Sequence, residues 1–140
     1  IWWGDRGLMG RISKSSYDIG GKVIGIIPEN LATIEKINYE TSETIIVKSM
    51  SERKIKLFEL GDAYLILPGG SGTIEEATEI ISWKILGIHN KKIILFNYKD
   101  YWNSLIQMYQ DSKDSNFGNK NLQNICKHVK TIEEFTNIIS

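Results

Sequence analysis

The stretch AYLILPGGSGTIEEATEIISWKIL, residues 63–86, decides the fold. It opens on an apolar run closed by Pro68, places three glycines within four residues, and passes at Thr73 into a segment whose apolar residues recur three and four apart. The first part has the continuous apolar character of a strand covered on both faces, and the last has the period of a helix. Strand, glycine turn and helix together are the unit from which parallel α/β sheets are built.

The same order repeats outward from there. Residues 22–28 (KVIGIIP) form a second apolar run closed by proline, and residues 44–47 (TIIV) and 92–96 (KIILF) are two more. Residues 8–19, 50–60, 73–86 and 101–109 carry helical spacing, and several of these segments end at glycine. The alternation predicts right-handed crossovers and an α/β fold: a Rossmann-like open parallel sheet with helices on both faces. Ligands of such sheets bind where strand carboxyl ends meet helix amino ends. The polar residues 111–121 (DSKDSNFGNKN) read as a surface loop, followed by a last strand near Ile125 and a helix from Thr131. No repeat or linker interrupts the chain, so residues 1–140 read as a single domain. Ile1-Trp2-Trp3 looks like the end of a strand whose preceding strand and helix are missing.

Composition narrows the function. A chain of 140 residues that is 41% hydrophobic supports one core. Seventeen basic residues balance seventeen acidic ones, which leaves no net field to hold a nucleic-acid polymer or an anionic membrane. Cys126 is the single cysteine, which excludes an internal disulfide and a multi-thiolate metal site and suits a reducing compartment. No apolar run reaches the roughly eighteen residues of a membrane span and no basic-then-apolar leader is present, so a cytoplasmic protein is expected.

The chemistry concentrates at the glycine turn. Gly69, Gly70 and Gly72 permit positive φ and close backbone approach, and the first amides of the following helix point outward at the positive end of its dipole. That arrangement predicts an anion site, to which the Ser71 or Thr73 hydroxyl can contribute. The turn is not a Walker loop, since no Gly-Lys-Ser/Thr follows. It is not a dinucleotide fingerprint either, since Glu75 stands where a third glycine belongs. Glu76 has two readings. Thr73-Ile-Glu-Glu76 fits a capping box, in which the glutamate satisfies the N-cap amide. Alternatively, because Ile80 and Trp83 continue its face, Glu76 is a carboxylate at the edge of a cleft, where the helix dipole favours negative charge. Glu75 reads as a solvated first-turn acid. Arg53 lies between Met50 and Leu57 on the apolar stripe of its helix, so it either snorkels or aims its guanidinium at a ligand. Lys54, on the same side, can meet a phosphate as a point charge.

Arg53-Lys54, LPGGSGTIEE and ISWKILGIH together resemble the LOG family, the cytokinin riboside 5′-monophosphate phosphoribohydrolases, also labelled lysine decarboxylase-like. The likeness runs from Gly7 to about Leu105 and includes the PGGxGTxxE pattern in full. It implies a Rossmann-like nucleotide-binding domain, usually dimeric, that hydrolyses N6-modified AMP to free base and ribose 5-phosphate without a metal or redox cofactor. By position it implies Arg53 and Glu76 as catalytic residues. The implied substrate contacts are Lys54, Gly70, Ser71, Gly72, Thr73, Ile74, Glu75, Ser82 and Glu35, with the purine toward Met50. His89 falls in the LGIH stretch and reads as a helix-end residue rather than a ligand. One departure is substantial: three glycines of the family before GLMG are Trp2-Trp3-Gly4 here. Two tryptophans do not allow the close approach of two glycines, so either the pocket is altered on that side or the chain is a fragment with displaced first residues. The first strand and helix of the family are also absent from this sequence.

Two rivals stand beside hydrolysis. One is a non-catalytic module that binds a nucleotide or molybdenum cofactor, against which the pair Arg53 and Glu76 argues. The other is a lysine decarboxylase, which needs a Schiff-base lysine beside its cofactor phosphate. No lysine occurs between Lys56 and Lys84.

Overall fold

The computed structural model describes residues 7–32, 41–118 and 122–139. The chain divides into two compact units, Ile1–Leu60 and Gly61–Ser140. In the first, helix α1 (Leu8–Asp18) precedes β1 (Ile24–Pro28), the short α2 (Glu29–Ala32), β2 (Glu43–Val47) and α3 (Met50–Leu60). Strands β1 and β2 are parallel, with Ile26 opposite Ile45 and Pro28 opposite Val47. Ile26, Ile27, Pro28 and Val47 are buried.

The second unit runs β3 (Ala63–Ile66), α4 (Ser71–Ile85), β4 (Lys92–Phe96), α5 (Asn103–Asp114), β5 (Lys127–Val129) and α6 (Ile132–Ile139). Its three strands form a parallel sheet in the order β3-β4-β5. In β4, Ile93, Ile94 and Leu95 are each at most 1% exposed, so both faces of the middle strand are covered. This is why its sequence is continuously apolar rather than alternating. Ile93 and Leu95 join Ile66 of β3, Ala77 and Ile81 of α4, and Trp102, Leu122, Ile125 and Cys126 in one core.

The parallel α/β reading is borne out, with the strands paired as two sheets, one in each unit. Several boundaries differ from expectation; helix α5 starts at Asn103 rather than Tyr101, which stands in the turn before it, and three others have a visible cause. Helix α4 begins at Ser71, not Thr73, because Gly70 takes the extended N-cap conformation (φ −85°, ψ −158°) and its carbonyl accepts the Ile74 amide at 3.1 Å. Helix α5 continues to Asp114, into residues expected to be loop, since Gln107 with Asp111 (2.8 Å) and Gln110 with Asp114 (2.7 Å) are bonded four residues apart along it. The last strand is Lys127–Val129 rather than near Ile125, because Leu122–Asn124 forms a 3-10 turn that sends Ile125 and Cys126 into the core. Helix α4 ends as the sequence predicts. Gly87 sits at φ +76°, with its amide on Lys84 O and that of Ile88 on Trp83 O, the paired bonds of a Schellman motif.

Candidate functional site

Parallel neighbours bring their carboxyl ends to one edge, so the turns after β3, β4 and β5 lie side by side. The turn after β3 carries the glycines. A Cβ on Gly69 would stand 2.7 Å from Thr73 Cβ and 3.0 Å from its Cγ2, so only glycine leaves room for the threonine side chain there. A Cβ on Gly70 would meet nothing within 4 Å. None of Gly69, Gly70 and Gly72 has positive φ, which corrects the first expectation: at Gly69 it is the missing side chain that the turn uses, not a left-handed backbone. No side chain caps the α4 N-terminus at Gly70. The capping-box reading of Glu76 therefore falls, because Thr73 is the third residue of the helix and not its N-cap. Glu75 and Glu76 lie in the second turn, so the dipole, which fades within the first turn, acts on an anion at the amides more than on these carboxylates.

Along α4 the environment of each residue follows its face. Ser71, Ile74 and Glu75 are exposed, Gly72, Thr73 and Glu76 are partly buried, and Ala77 and Ile81 are in the core. Glu76 thus stands at the rim where the buried face of the helix meets its open amino end. Ser82 is exposed and about 18 Å farther along the helix axis than Gly70. His89 is held at the far end, where one ring nitrogen meets Ile80 O at 2.9 Å and the other accepts the Lys91 amide at 3.1 Å.

The turn after β4 adds a residue that sequence reasoning missed. The Tyr101 hydroxyl donates to Gly69 O at 2.8 Å, and its ring packs edge-on against Trp102, itself 2% exposed, with centroids 5.0 Å apart. Asn97, 3% exposed, fixes this turn: its Oδ1 accepts the Trp102 amide (2.7 Å), its Nδ2 donates to Asn103 Oδ1 (2.8 Å), and its own amide donates to Val129 O (2.7 Å). Lys99 and Asp100 take left-handed conformations, φ 50° and 61°, and the Asp100 carboxylate pairs with Lys130 after β5. The available signal was an aromatic residue in the turn following a buried strand.

Met50, Arg53 and Lys54 belong to the first unit. Arg53 is 3% exposed and its Nε donates to Ile26 O of β1 at 3.0 Å. A snorkelling arginine would show its charged end to water, so that alternative is removed. Met50 and Lys54 are partly buried. Glu35 and the departure at Trp2-Trp3-Gly4 lie outside the described residues. Among the described residues no three His, Cys, Asp or Glu side chains group as metal ligands. Burial pushes the Cys126 thiol up to about 12, which leaves it a packing residue without thiolate chemistry.

Residues 9–139 match the family described as "Possible lysine decarboxylase". The chain belongs to that family. Curated relatives make the LOG resemblance explicit. A probable cytokinin riboside 5′-monophosphate phosphoribohydrolase of Oryza sativa subsp. japonica is 39% identical over 131 residues, covering 94% of this chain and 62% of the relative. The cytokinin riboside 5′-monophosphate phosphoribohydrolase of Rhodococcoides fascians is 36% identical, covering 89% of this chain and 65% of the relative. One from Arabidopsis thaliana is 37% identical, covering 94% and 61%. The chain spans about three fifths of the length of these relatives. Among the described residues, no helix of this family member is long and apolar enough to cross a membrane.

Proposed function

We propose that the chain hydrolyses the N-glycosidic bond of a cytokinin riboside 5′-monophosphate, an N6-substituted AMP, releasing free base and ribose 5-phosphate. The observation that carries this reading is the α4 amino end: an uncapped helix terminus after a glycine turn, with Glu76 partly buried beside the core. An anion is the natural occupant of such a terminus. The family relatives named for this hydrolysis supply the reaction.

In this mechanism the 5′-phosphate rests on the amides of Gly70, Ser71, Gly72 and Thr73, with the Ser71 hydroxyl as a further donor. Anchoring the phosphate holds the ribose so that its anomeric carbon faces Glu76. The C1′–N9 electron pair leaves with the purine, a water oxygen adds at C1′, and Glu76 takes the proton of that water or stabilises the oxocarbenium-like state; the proton lost by the water ends on a ring nitrogen of the departing purine, which gives the neutral base and leaves Glu76 ionised. Arg53 offsets the charge on the departing purine, and Lys54 acts as a point charge toward the phosphate. Met50 and Ile74 supply apolar contact, while Glu35, Glu75 and Ser82 are polar contacts on the strength of the resemblance alone. No metal or redox cofactor enters these steps.

We propose further that residues 1–140 act as a single nucleotide-binding domain and that the protein is a cytoplasmic homodimer. The resemblance and the single cysteine support this reading, and sedimentation of the purified chain tests the dimer.

Incubation with AMP and with N6-isopentenyl-AMP, followed by chromatography for free base, tests the reaction. Glu76→Gln keeps the shape and removes the charge, and should slow base release by about 10² to 10⁴ while AMP still binds. Full turnover in that variant ends the assignment of Glu76. Binding without release in the unaltered chain would favour the non-catalytic module instead.

A further inference from the structure

We infer that Tyr101 is a positioning residue that locks the direction of the Gly70 amide at the head of the anion site. The inference rests on the proposed phosphate subsite and adds a residue from the neighbouring turn. It begins with one peptide group. Among the described residues every peptide bond is trans, so the C=O of Gly69 and the N–H of Gly70, which share a planar unit, point in opposite directions. Tyr101 holds that carbonyl at 2.8 Å. The same bond therefore turns the Gly70 N–H away from Tyr101. The Gly70 amide meets no acceptor among the described residues.

A lock is needed there. The peptide lies between two glycines, the residues that tolerate both signs of φ, so its rotation by half a turn meets less steric resistance than that of a peptide between residues with side chains. A Cβ on Gly70 would touch nothing within 4 Å, so packing around it does not restrain this plane either. Thr73 fills the space beside the Gly69 α-carbon, and the Tyr101 hydroxyl fixes its carbonyl. The tyrosine is itself placed firmly. Its ring lies against buried Trp102, whose amide is bound by buried Asn97, and the left-handed pair Lys99 and Asp100 is pinned through Lys130. Adjacent parallel strands thus let the β4 turn set one donor of the β3 turn, although 32 residues separate the two partners.

Tyr101→Phe keeps the ring on Trp102 and removes only the hydroxyl. The melting temperature should fall by no more than about 2 to 4 °C, the cost of one exposed hydrogen bond. Affinity for ribose 5-phosphate and for AMP should fall about threefold to tenfold, the span of one net hydrogen bond, and KM for N6-isopentenyl-AMP should rise by a similar factor with a smaller change in kcat. Adenosine, which lacks the phosphate, should bind both forms equally. Unchanged ribose 5-phosphate affinity overturns the inference, and so does an equal loss for adenosine, which would mark a general structural role. The ¹⁵N–¹H resonance of Gly70 gives an independent reading without ligand. A shift or exchange broadening in Tyr101→Phe supports the lock, and an unaltered resonance overturns it. If the unaltered chain binds neither ribose 5-phosphate nor AMP, the phosphate subsite fails, and the resonance alone decides the role of Tyr101.

Discussion

At the turn from β2 into α3, Ser49 Oγ accepts the Glu52 amide (3.1 Å) and the Glu52 carboxylate accepts the Lys48 amide (2.7 Å), a variant of the capping box shifted by one residue that closes the helix start. At the turn from β3 into α4, the N-cap is Gly70 and no side chain caps it. The turn from β5 into α6 follows the first pattern: Thr131 Oγ1 accepts the Glu134 amide (3.2 Å) and Glu134 accepts the Lys130 amide (2.6 Å). A side-chain cap stabilises a helix by about 1 kcal/mol over an alanine, and by only about a few tenths of a kcal/mol over a glycine. Helices α3 and α6 are capped by their own side chains, whereas α4 shares an uncapped start with α1 and α5. What sets the α4 terminus apart is that it follows strand β3 through the glycine turn, so its comparison with the α3 turn is between a start closed by side chains and one open to an external anion.

Making the second turn resemble the first should break the comparison most sharply. Gly70 has extended backbone angles and open space at its Cβ, so Gly70→Asp can supply the missing cap without strain. Thermal unfolding should then shift upward by about 1 °C. Base release should fall by about 10²-fold or more, because the new carboxylate occupies the amides and repels the phosphate. Retained turnover in a stabilised Gly70→Asp chain would show that the open terminus is not the phosphate subsite. The reverse change is smaller in effect. Ser49→Ala removes the α3 cap and should cost about 1 kcal/mol, lowering the melting temperature by about 2 to 4 °C, with ribose 5-phosphate affinity unaltered. A comparable loss of that affinity would mean that the two turns do not divide their roles in this way.

The two turns also show what a sequence can carry. Helix α3 was legible to the residue, Met50–Leu60, since Ser49 and Glu52 are side-chain signals and Gly61 follows its end. Strand β4 was equally plain, because burial on both faces demands an unbroken apolar run. Helix α4 was misread by two residues at its start, as glycines carry no capping signal and Thr73-Ile-Glu-Glu76 imitates one. Arg53 stayed ambiguous because a stripe position cannot say whether a long side chain reaches out or in, and the bond to Ile26 O decides it. Tyr101 was missed for another reason. Its partner is set by the lateral pairing of β3 with β4, a non-local fact that no local pattern encodes.

The smallest predicted effect separates the units by acid. Both histidines, His89 and His128, lie in the second unit, and burial lowers the pKa of His128 below its usual 6.5, with Nε2 buried and lacking a hydrogen-bond partner among the described residues. The unfolded chain takes up this proton as pH falls through about 6.5, while the folded chain refuses it until a lower pH. Stability from this group is therefore complete above about 6.5 and declines as pH falls toward the folded value. Urea unfolding at pH 7.5 and 5.5 should show a less stable protein at the lower pH, and His128→Gln should narrow that gap by removing the titrating group. Exchange of β5 amides, corrected for intrinsic rates, should quicken over the same interval more than exchange of β1 and β2. An identical pH dependence in the variant would leave the second unit no more sensitive to acid, through this side chain, than the first.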